Sequence, residues 1–163
     1  MNSHPAIESY VELAVERSLV EERLSAFRMS GFMKEDIFRM LDKAPWILAF
    51  DNPKRLQKLI ADLEQEIGAD HSLAVHIVSH CPFLLAQYCR YKGRDLRSTL
   101  TALEEVGFIK SSVQSDPVLL GDLARFPSML AAPPNRLRGW KSLMTSFGVA
   151  TASPQLFGKM LRR

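Results

Sequence analysis

Apolar residues recur along most of this chain at spacings of three and four, the period of an amphipathic helix. Short segments before residues 45, 82 and 127 each carry two apolar positions four residues apart, and longer segments after them carry leucine-rich stripes. No segment alternates apolar and polar residues over any length, so no strand is predicted. The pattern predicts an all-α protein of alternating short and long helices. The paired inward positions are Ile37 and Leu41, Ala74 and Val78, and Leu119 and Leu123.

A Pro-x-x-Leu motif separates each short helix from the long one, and it recurs at a period of 37 to 45 residues. Self-similarity at such a period is typical of a helical repeat array. The proline is expected to end the short helix, because it lacks an N–H and clashes with the preceding turn. A glycine before each motif is expected to cap the preceding long helix. The motifs are Pro45–Leu48, Pro82–Leu85 and Pro127–Leu130, and the glycines are Gly31, Gly68 and Gly107, with Gly148 after the last.

The third glycine and its proline lie further apart than the first two pairs. Asp70 and Asp116 are expected to be N-caps of the short helices, and Pro117 suits a first helical residue. The extra residues, Ile109–Ser115, are therefore expected in the loop before the cap, where insertions are well tolerated.

Trp46 and Phe83, which directly follow the first two motif prolines, are expected to belong to the core, within a short buried turn. The long helices are expected to start near Asn52-Pro53, before Leu96 and after Pro133-Pro134-Asn135.

The chain is interpreted as one array with an N-terminal helix and a C-terminal half-repeat. Since no repeat can bury its apolar face alone, the repeats are expected to stack into an α-solenoid of about three repeats, with half-repeats as caps. The boundaries are about 8–29 for the N-terminal helix, 31–67, 68–106 and 107–147 for the repeats, and 148–163 for the half-repeat.

The order Gly31-Phe32…Ile37…Leu41…Pro45-Trp46-Ile47-Leu48, with its counterparts around Pro82 and Pro127, resembles the mitochondrial transcription termination factor (mTERF) family over roughly residues 24–161. The resemblance implies a half-doughnut of left-handed mTERF-type helical repeats, although either a right- or a left-handed solenoid fits the residues alone. It also implies nucleic-acid binding in mitochondria or, alternatively, chloroplasts. Family members are associated with transcription termination or initiation, ribosomal RNA maturation, ribosome assembly and splicing.

Two features depart from the family pattern. The helix after Gly31 begins Met33-Lys34-Glu35, without the usual polar cap. Three repeats are also few beside the family's duplex-DNA binders, which weighs against encirclement of a duplex.

Basic residues cluster 8 to 15 positions after each motif proline, although the net charge is only +3. In a stacked array such positions form a stripe. Cations near a helix N-terminus are unfavourable for an isolated helix, but they suit a phosphate ligand. One such cluster would be read as a solvated face, whereas three in register predict phosphate binding. The predicted nucleic-acid contacts are Lys54, Arg55 and Lys58, then Arg90, Lys92, Arg94 and Arg97, then Arg136, Arg138 and Lys141.

Tyr88 and Tyr91 flank the second cluster and could stack on unpaired bases, or equally pack on a neighbouring helix. His76, His80 and Cys81 resemble metal ligands at first sight. However, the chain has no Cys-x-x-Cys pair, and structural zinc sites need four closely arranged ligands, so no metal is predicted.

Other classes of function find little support. No apolar run approaches the roughly 20 residues of a membrane span, and the two cysteines favour a reducing compartment over a disulfide framework. Phosphate-binding loops, nucleophile elbows and paired carboxylates are absent from the sequence, so neither an enzyme, a cofactor nor a small-molecule substrate is predicted. The first twenty residues are too acidic for an uncleaved mitochondrial presequence, so either none exists or it has been removed.

The leading hypothesis is a non-enzymatic organellar protein that binds structured RNA, with ribosomal RNA as the foremost candidate, as a component or assembly factor of an organellar ribosome and with ribosomal proteins as further partners. One alternative is a factor that binds double-stranded DNA and terminates or regulates transcription. Another is a protein–protein scaffold whose basic stripe meets an acidic partner.

Overall fold

The computed structural model describes residues 5–49, 53–90 and 96–148, with side chains at 16–48, 54–87 and 96–148. Over these residues the fold is all-helical, as the periodicity predicted, with eight α-helices, two 3-10 helices and no strand. The α-helices are α1 (Pro5–Met29), α2 (Lys34–Lys43), α3 (Pro53–Ile67), α4 (His71–His80), α5 (Phe83–Arg90), α6 (Leu96–Glu105), α7 (Pro117–Arg125) and α8 (Pro134–Ser146). The 3-10 helices are Pro45–Ala49 and Pro127–Ala131.

The helices form two rows that share one core. The short helices α2, α4 and α7 pack on one another in chain order, and the long helices α3, α6 and α8 do the same. Helix α1 packs against α2 and α3 at the start of both rows. In each repeat the chain crosses from one row to the other through the Pro-x-x-Leu motif. The C-terminal ends of the short helices are therefore joined to the N-terminal ends of the long ones, and we call this side of the array the proline edge.

Aspartates begin two of the short helices, as predicted. The Asp70 side chain accepts a hydrogen bond from the Leu73 N–H at 2.7 Å, and Asp116 accepts one from the Val118 N–H at 2.9 Å. Each bond satisfies an amide that a helix start leaves without a partner. Helix α2 follows Met33, whose side chain makes no capping hydrogen bond.

The insertion Ile109–Ser115 lies outside the helices, as predicted, and it also docks on an earlier repeat. The Ser115 N–H donates to the Ile67 carbonyl at 2.8 Å, and the Gln114 amide donates to the Gln65 carbonyl at 2.6 Å. These carbonyls belong to the last turn of α3, where helical partners run out. The insertion of the third repeat thus caps a helix of the first repeat.

Gly68 ends α3 beside this contact and has φ of +75°. A side chain there would be strained by the left-handed backbone, and its Cβ would lie 2.1 Å from Ser115 Oγ and 2.8 Å from Ser115 N. The glycine prediction is confirmed for this position, because α3 ends at Ile67 and only glycine admits both the backbone turn and the approach of the insertion.

The motif buries its third residue in every repeat: Ile47, Leu84 and Met129 are each at most 2% exposed. The predicted inward residues of the short helices are buried as well, except for Leu41, which is half-buried. The buried members are Ile37, Ala74, Val78, Leu119 and Leu123.

The expectation of a core position was wrong for Phe83, whereas Trp46 packs against the core at its margin. Phe83 is 49% exposed and Trp46 is only partly buried. Both residues directly follow a motif proline, and the third residue of each motif is more deeply buried than they are. The second motif also differs from the other two, because Phe83–Arg90 forms an α-helix rather than a short turn.

Candidate nucleic-acid interface

The first basic cluster lies in the opening two turns of α3. Lys54, Arg55 and Lys58 are all exposed. Lys58 Nζ donates to Asp62 Oδ2 at 2.6 Å, one turn further along the helix. Within the part of the chain that the structure describes, no hydrogen bond or ion pair engages the Arg55 guanidinium.

The second cluster is spread over two helices and the segment between them. Arg97 is the second residue of α6; its Nε lies 3.6 Å from Glu66 Oε2, and its Nη1 donates to the Ser112 carbonyl at 3.0 Å. Arg90 ends α5 and so does not lie at the start of a long helix, because the motif continues into an α-helix here. Lys92 and Arg94 lie outside the described residues.

The third cluster lies in α8. Arg138 Nε donates to Glu105 Oε2 at 2.8 Å, and Lys141 Nζ donates to the Glu105 carbonyl. The hydrogen bond from Arg138 lowers the pKa of Glu105, and the carboxylate raises the pKa of Arg138 in turn. Lys141 is the eighth residue of its helix and lies beyond the first turn. Arg136 is exposed, and among the described residues no hydrogen bond or ion pair engages it.

Each long helix has a buried leucine in its first turn, and this leucine serves as a common reference position. Four arginines of the clusters lie directly before or directly after it. Arg55 and Arg136 immediately precede the leucine, and each is the third residue of its helix. Arg97 and Arg138 immediately follow the leucine and contact the preceding long helix. The leucines are Leu56, Leu96 and Leu137. The predicted clusters thus contain exposed guanidinium groups without a partner among the described residues, and guanidinium groups that join one helix to the next.

The joining pairs share one arrangement. Glu66 and Glu105 each lie two residues before a C-capping glycine, and each receives the arginine that follows the leucine of the next long helix. Both carboxylates stay partly exposed to solvent while each is paired with an arginine of the next long helix. The sequence carries a signal for these pairs. At the equivalent positions of α1 and α3, Met29 lies two residues before Gly31 and Gln57 directly follows Leu56, so the acidic and the basic residue are both missing there.

The predicted stacking residues cannot be placed, because Tyr91 and the Tyr88 side chain lie outside the described part. The candidate metal ligands have other partners. His76 Nε2 donates to the Ala124 carbonyl at 3.0 Å, and His80 Nδ1 donates to the His76 carbonyl at 2.9 Å. Burial raises the pKa of the Cys81 thiol to about 11. Among the described residues, no group of three or more His, Cys, Asp or Glu side chains could hold a metal ion.

None of the described helices is both long and apolar enough to span a bilayer. No curated protein matches the chain significantly. The sequence profile of the mTERF family matches residues 1–115, which include the first two Pro-x-x-Leu motifs and the Glu66–Arg97 contact. Proteins of this family are in general organellar and bind nucleic acids through helical repeats rather than act as enzymes. By this match and its all-helical architecture, the chain belongs to the mTERF family.

Proposed function

We propose that this protein is a non-enzymatic RNA-binding protein of an organelle, the mitochondrion first and the chloroplast second. Its target is structured RNA, with ribosomal RNA of the organellar ribosome as the foremost candidate. The observation that carries the proposal is the matched position of Arg55 and Arg136, the third residues of α3 and α8, both exposed and without an intramolecular partner among the described residues.

The surroundings of these arginines favour an anionic ligand. The N-terminal end of a helix carries about half a positive charge, so a cation there raises the energy of the uncomplexed protein slightly. No side chain caps the start of α8, where Pro133 precedes the helix. A phosphate group bound there would satisfy the amides and neutralise the guanidinium at once.

The size of the array supports a static ribonucleoprotein partner over a reader of duplex sequence. The net charge of +3 is modest, and joining contacts already engage Arg97 and Arg138. Phosphate contacts fix the position of a protein on a nucleic acid but do not specify sequence. A protein with few arginines left for phosphate contacts is suited to an RNA that is already folded, as in a ribosomal particle, because it does not need to recognise a sequence.

Salt-dependent binding tests the role of the two arginines. The double variant Arg55→Gln/Arg136→Gln should bind a structured RNA fragment more weakly than the wild type, and the slope of log K against log salt should fall by about one per lost contact. The control is Arg28→Gln/Lys110→Gln, which removes the same charge from exposed side chains at the end of α1 and in the insertion of the third repeat. Equal losses in the two variants would contradict the proposed site.

The class of partner is tested separately, by ultraviolet crosslinking in organellar extracts followed by sequencing of the bound nucleic acid. Recovery of ribosomal RNA, together with sedimentation with ribosomal particles, is the expected result. Recovery of genomic DNA would favour transcription termination or regulation. Crosslinks to protein alone, with no RNA binding at low salt, would overturn the proposal in favour of a scaffold.

A further inference from the structure

Trp46 and Phe83 form an aromatic pair on the proline edge. Their ring centroids are 6.0 Å apart and the ring planes meet at 47°. Phe83 is the first residue of α5 and leaves nearly half of its surface to solvent. Trp46 is partly buried and packs against the core, whereas the exposed part of the Phe83 ring makes no contribution to the core, which the third residue of each motif already fills.

A lysine lies on the same edge as this pair. Lys43 Nζ donates to the His80 carbonyl at 3.2 Å, and His80 is one helical turn before Phe83 in sequence. An ammonium group has three donors, so this bond leaves others for a second acceptor. Lys43 and Arg125 each lie two residues before a motif proline, at the ends of α2 and α7, so that two cations lie on the same edge as the aromatic rings. His80 has the equivalent position at the end of α4, but burial lowers its pKa and favours the neutral ring.

We propose that Trp46 and Phe83 form a stacking site for an unpaired base of single-stranded RNA, with Lys43 contacting a neighbouring phosphate. This inference rests on the proposed RNA-binding function and deepens it, because it names the single-stranded portions of the RNA as the ligand of this edge. An aromatic face accepts any base, and an adjacent cation follows the backbone, which is the combination found in proteins that bind single strands.

The third motif limits the extent of the site. Ser128 occupies the place of Trp46 and Phe83 there, so stacking is confined to the first two repeats. The position directly after the motif proline therefore accepts a polar residue as well as an aromatic one. A stacked base would cover the exposed ring of Phe83 and bring its phosphate toward Lys43, whereas an apolar protein partner would gain nothing from that charge.

The variant Phe83→Leu tests the site, because leucine keeps an apolar side chain but removes the π-face. Binding is measured by fluorescence anisotropy with an oligouridine of about 12 nucleotides and with an RNA duplex of the same length. The expected result is a loss of about fivefold or more for the single strand, with the duplex affinity unchanged. The control is Phe38→Leu, since Phe38 is 60% exposed and has Lys34 Nζ 5.6 Å from its ring centroid, but it lies on the outer face of α2.

A second measurement uses the fluorescence of Trp46 in a Trp140→Phe background, which removes the other tryptophan of the chain. Oligouridine should quench this emission, and Phe83→Leu should reduce the quenching. Wild-type affinity in Phe83→Leu, equal losses on single strand and duplex, or the absence of quenching would each overturn the stacking site while leaving RNA binding through Arg55 and Arg136 intact. If the wild type bound neither RNA, the proposed function and the stacking site would both be wrong.

Discussion

The N–H of Ser115 donates to the carbonyl of Ile67 at 2.8 Å, so that the insertion of the third repeat closes the end of a helix in the first. Ser115 itself adopts a left-handed conformation, with φ of +62°. Such a conformation costs energy for any residue with a Cβ and persists only where the surrounding contacts stabilise it. The contact therefore ties together segments that are far apart in the chain.

Substitution of Gly68 by alanine should be markedly destabilising because of this contact. The left-handed backbone alone costs about 1–2 kcal/mol, and the collision of the new Cβ with Ser115 should add about 1 kcal/mol or more. Gly107→Ala is the matched control, since Gly107 has φ of +78° but open space around the Cβ position. Denaturant unfolding should show the larger loss for Gly68→Ala. Equal losses would mean that the insertion does not pack on α3 in solution.

Replacing Arg138 by glutamine should lower the thermal midpoint slightly at neutral pH, because it removes the hydrogen bond to Glu105 between α6 and α8. The pKa of Glu105 is lowered in the folded protein, so this contribution is present above the unfolded pKa and is lost as the pH falls through the folded pKa. The difference in midpoint between wild type and variant should therefore shrink as the pH falls below the range in which a free glutamate titrates. Persistence of the difference in acid would show that Arg138 acts through packing instead.

His71 should make stability fall as the pH rises above neutrality. Its Nδ1 lies 2.7 Å from Glu64 Oε1 and its Nε2 lies 3.1 Å from the Ser30 carbonyl, so only the protonated ring can donate to both. The hydrogen bond to Glu64 is the largest cause of the raised pKa. A raised pKa contributes stability that is complete below the unfolded value of 6.5 and is lost as the pH rises through the folded value.

Thermal midpoints across neutral and mildly alkaline pH, compared between wild type and His71→Gln, provide the measurement. The wild type should lose stability over this interval and the variant should lose less. Glu64→Gln should also weaken the dependence, because it removes the charged acceptor. An unchanged slope in both variants would exclude His71 as the titrating group.

Introducing serine at Met33 should stabilise the protein by about 0.5–1 kcal/mol, because α2 lacks a side-chain N-cap. Met33 is 67% exposed, so little burial is lost, and Asp36 already accepts a hydrogen bond from the Met33 N–H at 3.2 Å. A serine would complete the reciprocal arrangement. Chemical unfolding checks the gain, and Asp70→Ala, which removes an existing cap, should destabilise by about 1 kcal/mol.

Much of the local structure could be predicted from the sequence because its causes are local. Asp70 and Asp116 cap their helices through amides two or three residues away. The motif prolines end the short helices, since proline excludes a continuing helix whatever surrounds it. The inward positions followed from the helical period alone, and only Leu41 was less buried than expected.

The basic clusters were harder to interpret, because charge is visible in sequence and its partner is not. Arg136 and Arg138 are two residues apart in one cluster, yet one faces outward and the other is bonded to Glu105. That difference depends on where the end of α6 lies relative to α8. The prediction for Phe83 failed for a related reason. The sequence shows that an aromatic residue lies between buried neighbours, but it does not show whether its ring points into the core or towards solvent.

By itself, therefore, the sequence determined the helices, their caps and the repeat, since each depends on backbone chemistry within a few residues. Only the tertiary structure decided which cations join neighbouring helices, that the insertion closes α3, and that the ring of Phe83 faces solvent. Those features depend on distances between segments 30 or more residues apart, as for Arg138 and Glu105 or Gln114 and Gln65. Such distances are set by the packing of whole helices, and no local pattern encodes them.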